Sequence, residues 1–346
     1  MRTRIHRLQH PPSVLAYAAA GGLEEGRGPF GRAFDHIDGS DTFGQSTWEK
    51  AEGEMARTAL NLALAKAGLS PDALSLLVAG DLQNQCVASS GGLYSFGIPY
   101  LGLYGACSTC TESLAVLSLF LSEGVPSGRI GAAVTGSHNS AAERQFRLPL
   151  EYGGQRAPSA QWTATAAGAV LLTDRRGRVQ ITELCPGKII DGTIGDATNM
   201  GAAMAPAAAD TLRAYFRESG LCPDAVDAVF TGDLGAIGSE LLHELLREDG
   251  LDIRAKHRDC GLLLYDGHVQ DVHSGGSGCG CSAAILSTHV LPALERGELR
   301  DVLFLSTGAL MSPTSVQQGE HIFGIAPLIR LRRTDAENEC TATKKP

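Results

Sequence analysis

A cysteine at a predicted strand-to-helix turn is the residue of this sequence best suited to chemistry. Cys107 lies in the run Gly-Ala-Cys-Ser-Thr at 105–109, between an apolar segment and a helical pattern. The free N–H groups at the start of a helix stabilise a thiolate and bind anions. Cys107 is therefore a candidate nucleophile, or part of an anion-binding cradle with Ser108 and Thr109. A small cysteine that is buried for tight packing is the alternative interpretation.

A second group of polar residues follows the next apolar segment. His138 and Asn139 open a stretch that is rich in hydrogen-bonding and cationic groups, where we expect a loop containing Arg144 and Arg147. A guanidinium can hold a carboxylate through two hydrogen bonds, and an imidazole donates or accepts near neutral pH. We predict that His138 and one of the arginines line a pocket, and the alternative is an ion-pair network with neighbouring glutamates.

Two aspartates occupy matching positions. Asp81 and Asp233 each follow an apolar segment, within Gly-Asp-Leu. An aspartate after a strand commonly caps a turn or the next helix, and the matching positions favour this structural role over ligand contact. Asn84, close to Asp81, is a candidate neutral donor to a ligand. His273 is either a catalytic base or a surface residue.

A glycine-rich run, Gly-Gly-Ser-Gly-Cys-Gly-Cys at 275–281, opens a second helical pattern. Ser277 and Cys279 are its candidate ligand contacts. The spacing is not that of a phosphate-binding loop or a dinucleotide fingerprint, so we predict no cofactor. The chain has nine cysteines without histidines at zinc-finger spacing, which predicts no metal and a reduced, intracellular protein.

The elements that must position these residues repeat once along the chain. The segment 68–82 returns as 220–234 without a gap, at an offset of 152, and eight of the fifteen positions are identical. In both copies a helical pattern (48–67 and 207–219) precedes a Pro-Asp turn and an apolar strand. One long period with two copies indicates duplication of a domain-sized unit.

Strands that alternate with helices predict an α/β protein with a mainly parallel sheet in each half. We place an N-terminal half at 1–175, a C-terminal half at 176–333 and a polar tail at 334–346, with a charged turn at the boundary. Ligands of parallel α/β units bind beyond the carboxyl ends of the strands. We therefore expect the Cys107 turn, the glycine-rich run and both Gly-Asp-Leu segments to meet at one pocket.

Charge and hydropathy exclude some classes of function. The formal net charge of -9 over 346 residues argues against non-specific nucleic-acid binding, which needs a basic surface. Three N-terminal arginines precede an apolar run at 14–20, but this run is short and we predict a first strand there rather than a signal peptide. No run approaches the length of a transmembrane helix, so any membrane role should be peripheral.

Longer stretches carry a family resemblance over about 29–329. The motifs are Ala-Gly-Asp-Leu-Gln-Asn-Gln at 79–85, Gly-Ala-Cys-Ser-Thr at 105–109, Ser-His-Asn at 137–139, Ala-Glu-Arg-Gln-Phe-Arg at 142–147, Glu-Tyr-Gly-Gly-Gln at 151–155, Ala-Met-Ala-Pro-Ala-Ala-Ala-Asp at 203–210, Lys-His-x-Asp-Cys-Gly at 256–261, Gly-Gly-Ser-Gly-Cys at 275–279 and Thr-Gly-Ala-Leu-x-Ser-Pro at 307–313. In these motifs the chain resembles the stage V sporulation protein AD family.

The resemblance implies a thiolase-like fold, in which duplicated βαβαβαββ halves form a five-layered αβαβα pseudo-dimer. It also implies binding of dipicolinic acid (pyridine-2,6-dicarboxylate) and support of its uptake into the developing spore. The implied partners are membrane proteins of the same spore uptake system and a second copy of the chain, at the spore inner membrane. If the ligand binds as its calcium chelate, Asp81 or Asp233 would be an oxygen ligand.

The related condensing enzymes provide a test of mechanism. Cys107 matches their nucleophile, but those enzymes also need a His–Asn or a His–His pair from the second half. At the position of the first partner this chain has Thr-Gly-Asp-Leu (231–234), and the position of the second partner falls within the Gly-Gly-Ser of 275–277. The resemblance therefore implies a binding protein on an enzyme scaffold. An acyltransferase that uses Cys107 on CoA or carrier-protein thioesters is the second hypothesis, and a purely structural subunit is the third.

Overall fold

The computed structural model describes residues 3–123, 129–146 and 156–334. The strands are β1 His6–Arg7, β2 Ser13–Gly21, β3 His36–Ile37, β4 Leu76–Gly80, β5 Tyr100–Gly102, β6 Ile130–Ser137, β7 Trp162–Thr163, β8 Ala166–Thr173, β9 Val179–Cys185, β10 Ile190–Asp191, β11 Ala228–Thr231, β12 His257–Asp259, β13 Gly276–Ser277, β14 Asp301–Leu305, β15 Gly308–Leu310, β16 Phe323–Ile325 and β17 Leu328–Arg333. The helices are α1 Leu23–Arg27, α2 Trp48–Ala67, α3 Val87–Leu93, α4 Thr109–Ser122, α5 Asn139–Phe146, α6 Met200–Ser219, α7 Gly235–Arg247, α8 Cys260–Leu264, α9 Cys279–Ile285, α10 Leu291–Arg296 and α11 Pro313–Gln317.

The two halves have the same strand order. The main strands run β5-β4-β6-β8-β2 in the first half and β12-β11-β14-β17-β9 in the second. Each series begins with three parallel strands and ends with two antiparallel ones, so the sheets are mixed rather than mainly parallel. The halves join where Ser13 of β2 pairs with Gln180 of β9. The predicted boundary near residue 175 falls in the turn between β8 and β9.

The repeat of 152 residues is a structural repeat. Helices α2 and α6 end at glycines in the left-handed conformation, Gly68 with φ 64° and Gly220 with φ 73°. Glycine is favoured there because it has no Cβ to clash in that conformation. A Pro-led 3-10 turn follows in both copies, at Pro71–Ala73 and Pro223–Ala225, and leads into β4 and β11.

Among the described residues the helices and sheets form five layers, as the resemblance implies. Helix α2 packs on β2 and β8 outside the first sheet, and α6 packs with α7 outside the second. Helices α4 and α9 lie between the sheets, where Leu117 and Ile285 belong to one apolar cluster with Phe304 of the second sheet. The two central helices therefore begin near each other, and their first turns carry the site.

Two helices differ from the sequence prediction. Helix α6 begins at Met200, seven residues before the predicted start, and contains Pro206. The stretch predicted as a loop after β6 is helix α5, because Ala141 and Ala142 bury an apolar face that polar neighbours obscure in the sequence. The motif at 151–155, Arg147 and the tail from 335 onward lie outside the described residues.

Candidate functional site

A cavity of about 370 Å³ lies where the two halves meet. Its lining comes from both of them: Leu82, Tyr104, Ala106, Cys107, Ala142, Glu143, Phe146 and Thr163 from the first half, and Ala197, Met200, Ser277, Ala309, Leu310, Met311, Ser312 and Ser315 from the second. The Cys107 turn and the glycine-rich run reach it together. A volume of this size is in the range of small-molecule pockets.

The turn that carries Cys107 is held by local hydrogen bonds. Ala106 is left-handed, with φ 52°, which is strained for a residue with a Cβ. The Thr109 hydroxyl accepts from Gly105 N at 3.1 Å and donates to the Ala106 carbonyl oxygen at 2.7 Å. These contacts fix Cys107 at the entry to α4, where its side chain lines the cavity.

A buried carboxylate stands next to this thiol. Asp233 Oδ1 accepts from the Thr307 hydroxyl at 2.8 Å, and Oδ2 accepts from Gly278 N at 2.8 Å and from Ser277 Oγ at 3.1 Å. Ser277 Oγ also lies 3.9 Å from Cys107 Sγ. Cys107, Asp233 and Ser277 therefore form one cluster built from both halves, at the positions where the resemblance expects a nucleophile and its two partners.

The cluster disfavours a thiolate. Burial raises the pKa of the Cys107 thiol well above its usual range, and the Asp233 charge raises it further. Burial also raises the pKa of Asp233, while hydrogen bonds from Cys107 and Gly278 oppose that rise. A neutral thiol beside a carboxylate is a hydrogen-bond donor and a poor nucleophile, because the thiolate is the reactive species.

The two equivalent aspartates have different contacts. Asp81 Oδ1 accepts from Gln83 N at 2.7 Å, and Oδ2 accepts from Ser89 N at 2.7 Å and from Ser89 Oγ at 2.5 Å. Asp81 therefore holds its own loop and α3, which is the structural role favoured from sequence. Asp233 holds the glycine-rich run of the other turn, and Asp259 instead accepts from the first N–H groups of α7.

His138 and Arg144 do not line the cavity, contrary to the prediction. His138 is 1% exposed, its Nε2 lies 2.8 Å from the Asp41 carbonyl oxygen, and its ring stacks on Trp48 at 5.2 Å. Arg144 is half exposed and pairs with Glu49. Both side chains project from α5 or its N-terminal flank towards α2, because the helix presents its alanine face to the cavity instead.

The remaining predicted contacts lie around the cavity. The Ser108 hydroxyl donates to the Gly105 carbonyl oxygen at 2.6 Å, inside the turn. Asn139 Nδ2 donates to the Thr163 carbonyl oxygen at 3.2 Å, and Asn84 Oδ1 accepts from the Tyr104 hydroxyl at 3.0 Å. Asn139 and Asn84 thus contact residues that line the cavity, and neither they nor Ser108 belong to the described lining.

Cys279 packs directly behind the cavity. It forms an apolar cluster with Cys107, Leu82 and Ala142, and its thiol donates to the Gly136 carbonyl oxygen at 3.0 Å. Cys107 and Ser277 are thus the predicted contacts that the structure brings to the cavity surface. A ligand contact by any of the predicted residues stays a prediction.

Most of the lining could not be found from sequence. Phe146, Met200, Leu310 and Met311 are apolar residues with no pattern that separates a pocket wall from core. Glu143 is the charged residue within the described lining, and it lies on α5, which the sequence prediction treated as a loop.

No histidine belongs to the lining that the structure describes. His273 is turned away: its Nδ1 lies 2.8 Å from the Ala157 carbonyl oxygen, and its Nε2 lies 3.0 Å from the Asp271 carboxylate. The described ranges contain neither a group of three or more metal-binding side chains nor a helix that is long and apolar enough to cross a membrane.

Sequence comparison identifies one family over nearly the whole chain. Residues 2–332 match the family described as "Stage V sporulation protein AD (SpoVAD)". The protein named "Stage V sporulation protein AD" of Bacillus subtilis (strain 168) is 43% identical over 318 residues, which cover 92% of this chain and 93% of that protein.

Solved structures show the same fold at low sequence identity. The 3-oxoacyl-[acyl-carrier-protein] synthase III of Aquifex aeolicus VF5 aligns with a TM-score of 0.55 and 14% identity, covering 93% of this chain and 99% of that one. Cerulenin-bound OleA of Xanthomonas campestris aligns with a TM-score of 0.60 and 13% identity, covering 95% and 99%. These matches support a condensing-enzyme fold, and fold alone does not determine activity.

Proposed function

Because the chain belongs to the stage V sporulation protein AD family, we propose that it binds pyridine-2,6-dicarboxylate in the Cys107 cavity and supports uptake of this compound into the developing spore. The observation that carries the proposal is the cluster at the cavity wall, where Asp233 and Ser277 accompany a neutral Cys107 thiol. That arrangement suits hydrogen bonding to a bound ligand better than acyl transfer.

The cluster supports a role without thioester chemistry. Acyl transfer needs a base to take the thiol proton and donors to stabilise the oxyanion. A carboxylate whose two oxygens already accept three hydrogen bonds would repel both the thiolate and the oxyanion. Asp233 therefore opposes each of the two charged species on which an acyltransferase depends.

The charge of the lining favours a ligand with little net charge. The free ligand is a flat dianion, and the charged side chain of the described lining is the Glu143 carboxylate. The calcium chelate is neutral overall, and Ca²⁺ accepts further carboxylate and hydroxyl oxygens. Asp81 and Asp233 are not among the described lining, whereas Glu143 is, so we propose Glu143 as the oxygen ligand of the chelate on the ground of its position.

We also propose a homodimer that acts beside membrane proteins of the uptake system, at the inner membrane of the forespore. Strand β5 lies at the end of the first sheet, and its Leu101 is 46% exposed. Tyr94, which precedes the strand, is 80% exposed. An exposed edge strand with apolar side chains is suited to pairing with the same strand of a second copy.

Calorimetric titration with pyridine-2,6-dicarboxylate, alone and with equimolar calcium, tests the proposal. We expect one site per chain, with tighter binding of the chelate. Met311→Trp fills the cavity from its apolar wall and should weaken binding at least tenfold, because one large side chain occupies ligand volume. Arg144→Ala, on the far side of α5, is the matched control and should bind like the parent.

The outcomes separate the competing functions. If a folded protein gives no heat of binding with either form of the ligand, the binding proposal is wrong. Equal weakening by both substitutions would show that the site lies elsewhere. An acyl adduct on Cys107 after incubation with an acyl-CoA, found by intact-protein mass spectrometry, would favour an acyltransferase instead.

A further inference from the structure

The hydroxyl groups in the described lining of the Cys107 cavity are bonded to protein atoms, with one exception. The bonded ones are held by printed contacts of 3.0–3.2 Å: Tyr104 to Asn84, Ser277 to Asp233, and Ser312 to Ser315. The exception is Thr163, which is 6% exposed and whose hydroxyl makes no hydrogen bond to any residue in the described ranges. Buried hydroxyl groups without a partner are rare in folded proteins, so this group points to a role in binding.

Thr163 lies on the same wall of the cavity as the cluster around Cys107. Strand β7 pairs in parallel with β13, and Thr163 is in register with Ser277. Residues that are paired in this way lie about 4.8 Å apart and point to the same face. Ser277 Oγ in turn lies 3.9 Å from Cys107 Sγ. A ligand that contacts the Cys107 thiol is therefore within reach of the Thr163 hydroxyl.

The surroundings of Thr163 fix the direction of its side chain. The amides on either side of it, at 162 and 164, donate to carbonyl oxygens of the glycine-rich run at 2.9 and 2.8 Å. Its own carbonyl oxygen accepts from Asn139 Nδ2 at 3.2 Å. Its methyl carbon lies against Gly278, where an added Cβ would meet it at 3.3 Å. Since the χ1 angle of a β-branched residue is stiff, packing of the methyl group leaves the hydroxyl to face the cavity.

We propose that Thr163 Oγ1 donates a hydrogen bond to a carboxylate oxygen of the bound ligand, and that this contact sets which ligands the cavity accepts. The inference rests on the proposed function. At neutral pH the polar atoms of pyridine-2,6-dicarboxylate are carboxylate oxygens and a ring nitrogen, all of them acceptors, so the hydroxyl must be the donor.

Thr163 supplies what the neighbouring cluster lacks. The Ser277 hydroxyl donates to Asp233 Oδ2, so its proton is directed away from a ligand. The Thr163 proton has no such acceptor among the described residues. A site with a buried donor that only the ligand can pair discriminates against analogues without the matching acceptor.

Calorimetric titration of the full chain with pyridine-2,6-dicarboxylate and equimolar calcium tests the inference. Thr163→Val keeps the shape of the side chain and should weaken binding at least about fivefold, because a hydrogen bond to a charged group is lost. Thr163→Ser keeps the hydroxyl and should stay within about threefold of the parent. Thr182→Val is the matched control: it makes the same exchange on β9, where the hydroxyl lies 3.4 Å from the Arg330 carbonyl oxygen, and should bind like the parent.

A second ligand separates a direct contact from a change in the shape of the cavity. Pyridine-2-carboxylate has one carboxylate, which in Thr163→Val can still use the other end of the cavity. The substitution should therefore weaken the dicarboxylate and leave the monocarboxylate within about twofold, so that the preference for the dicarboxylate falls. A merely structural role for Thr163 would weaken both ligands equally.

The outcomes distinguish this inference from the proposed function. If the parent chain binds the dicarboxylate and Thr163→Val binds it equally or more tightly, the inference is overturned and the proposed function stands. An equal loss for both ligands overturns it in the same way. If the folded parent chain binds neither ligand, the proposed function fails and the inference fails with it. Should Thr163→Val not fold, by near-ultraviolet circular dichroism, Thr163→Ala replaces it with the same expected results.

Discussion

Replacing Asp233 by asparagine should make Cys107 more reactive. The substitution removes a buried negative charge and keeps the size of the side chain. The Asp233 charge is the largest cause, after burial, of the raised pKa of this thiol. The loss of a charge within hydrogen-bonding reach typically shifts a pKa by 1–3 units, so the thiolate population at fixed pH should rise roughly 10- to 1000-fold.

The rate of alkylation should rise less than the thiolate population does. Nucleophilicity falls as the pKa falls, with a Brønsted coefficient of about 0.4–0.5, which leaves a gain of roughly 3- to 60-fold. The assay is iodoacetamide labelling at pH 8, with mass spectrometry of the peptide that contains Cys107. Cys222 is exposed and serves as the internal reference.

Asp81→Asn is the control for this experiment, since it changes the same residue type at the equivalent position of the repeat. Its carboxylate holds α3 and is not a cause of the raised pKa of Cys107. An equal gain in both variants would mean that loosening of the fold, and not the Asp233 charge, controls access to the thiol. An unchanged rate in Asp233→Asn, with Cys222 labelling constant, would refute the electrostatic reasoning itself.

Three further outcomes follow from particular contacts. Gly280→Ala should lower the free energy of unfolding by about 2–4 kcal/mol in urea titrations, because a Cβ at this position meets the Ala166 carbonyl oxygen. Gly91→Ala is the control: a Cβ there faces open space, so its free energy of unfolding should stay within about 0.5 kcal/mol of the parent. Burial raises the pKa of Glu25 to about 7, so the folded state keeps a proton that the unfolded state loses above about 4.5, and stability falls as pH rises through this window. Glu25→Gln removes this pH-dependent contribution, so the free energy of unfolding of the variant should rise relative to that of the parent by about 3 kcal/mol between pH 4.5 and 7.5. If the difference in free energy between the two proteins does not change with pH, the reasoning from the burial of Glu25 is wrong. Leu101→Lys should shift a dimer towards monomer in light scattering coupled to size exclusion, and an unchanged mass would place the interface elsewhere or exclude it.

The sequence predicted the elements of the fold better than their packing. The repeat at an offset of 152 located α2, β4 and β11 because their turns use the same Gly and Pro-Asp residues, which act locally. The residue pattern predicted mainly parallel sheets and so missed the antiparallel direction of β8 and β17, since strand direction depends on tertiary pairing that local residues do not encode. Helix α5 was missed because it is short and mostly polar, with two buried alanines among polar neighbours.

The residues of the candidate site could likewise be predicted only where they have a local sequence signature. Cys107 and Ser277 were predictable because a strand-to-helix turn and a glycine-rich run have local signatures. His138 and Arg144 were assigned to the pocket from their chemistry alone, and that chemistry is used by Asp41 and Glu49 instead. Which side of α5 faces the cavity is decided by packing against α2, and the sequence around α5 carries no information on it.

The different contacts of Asp81 and Asp233 show how the two copies of a duplicated motif come to hold different parts of the fold. The first copy meets a serine of its own helix, and its carboxylate is fully used in holding that helix. In the second copy Asp259 takes over the N–H groups of the following helix, which releases Asp233 to reach across to Ser277 and Gly278. If Asp259 is what allows Asp233 to contact the glycine-rich run, Asp259→Asn should draw the Asp233 carboxylate towards α7 and away from the Cys107 thiol. Faster labelling of Cys107 in Asp259→Asn, at constant Cys222 labelling, is the expected result, and an unchanged rate would show that Asp233 is held by the glycine-rich run alone.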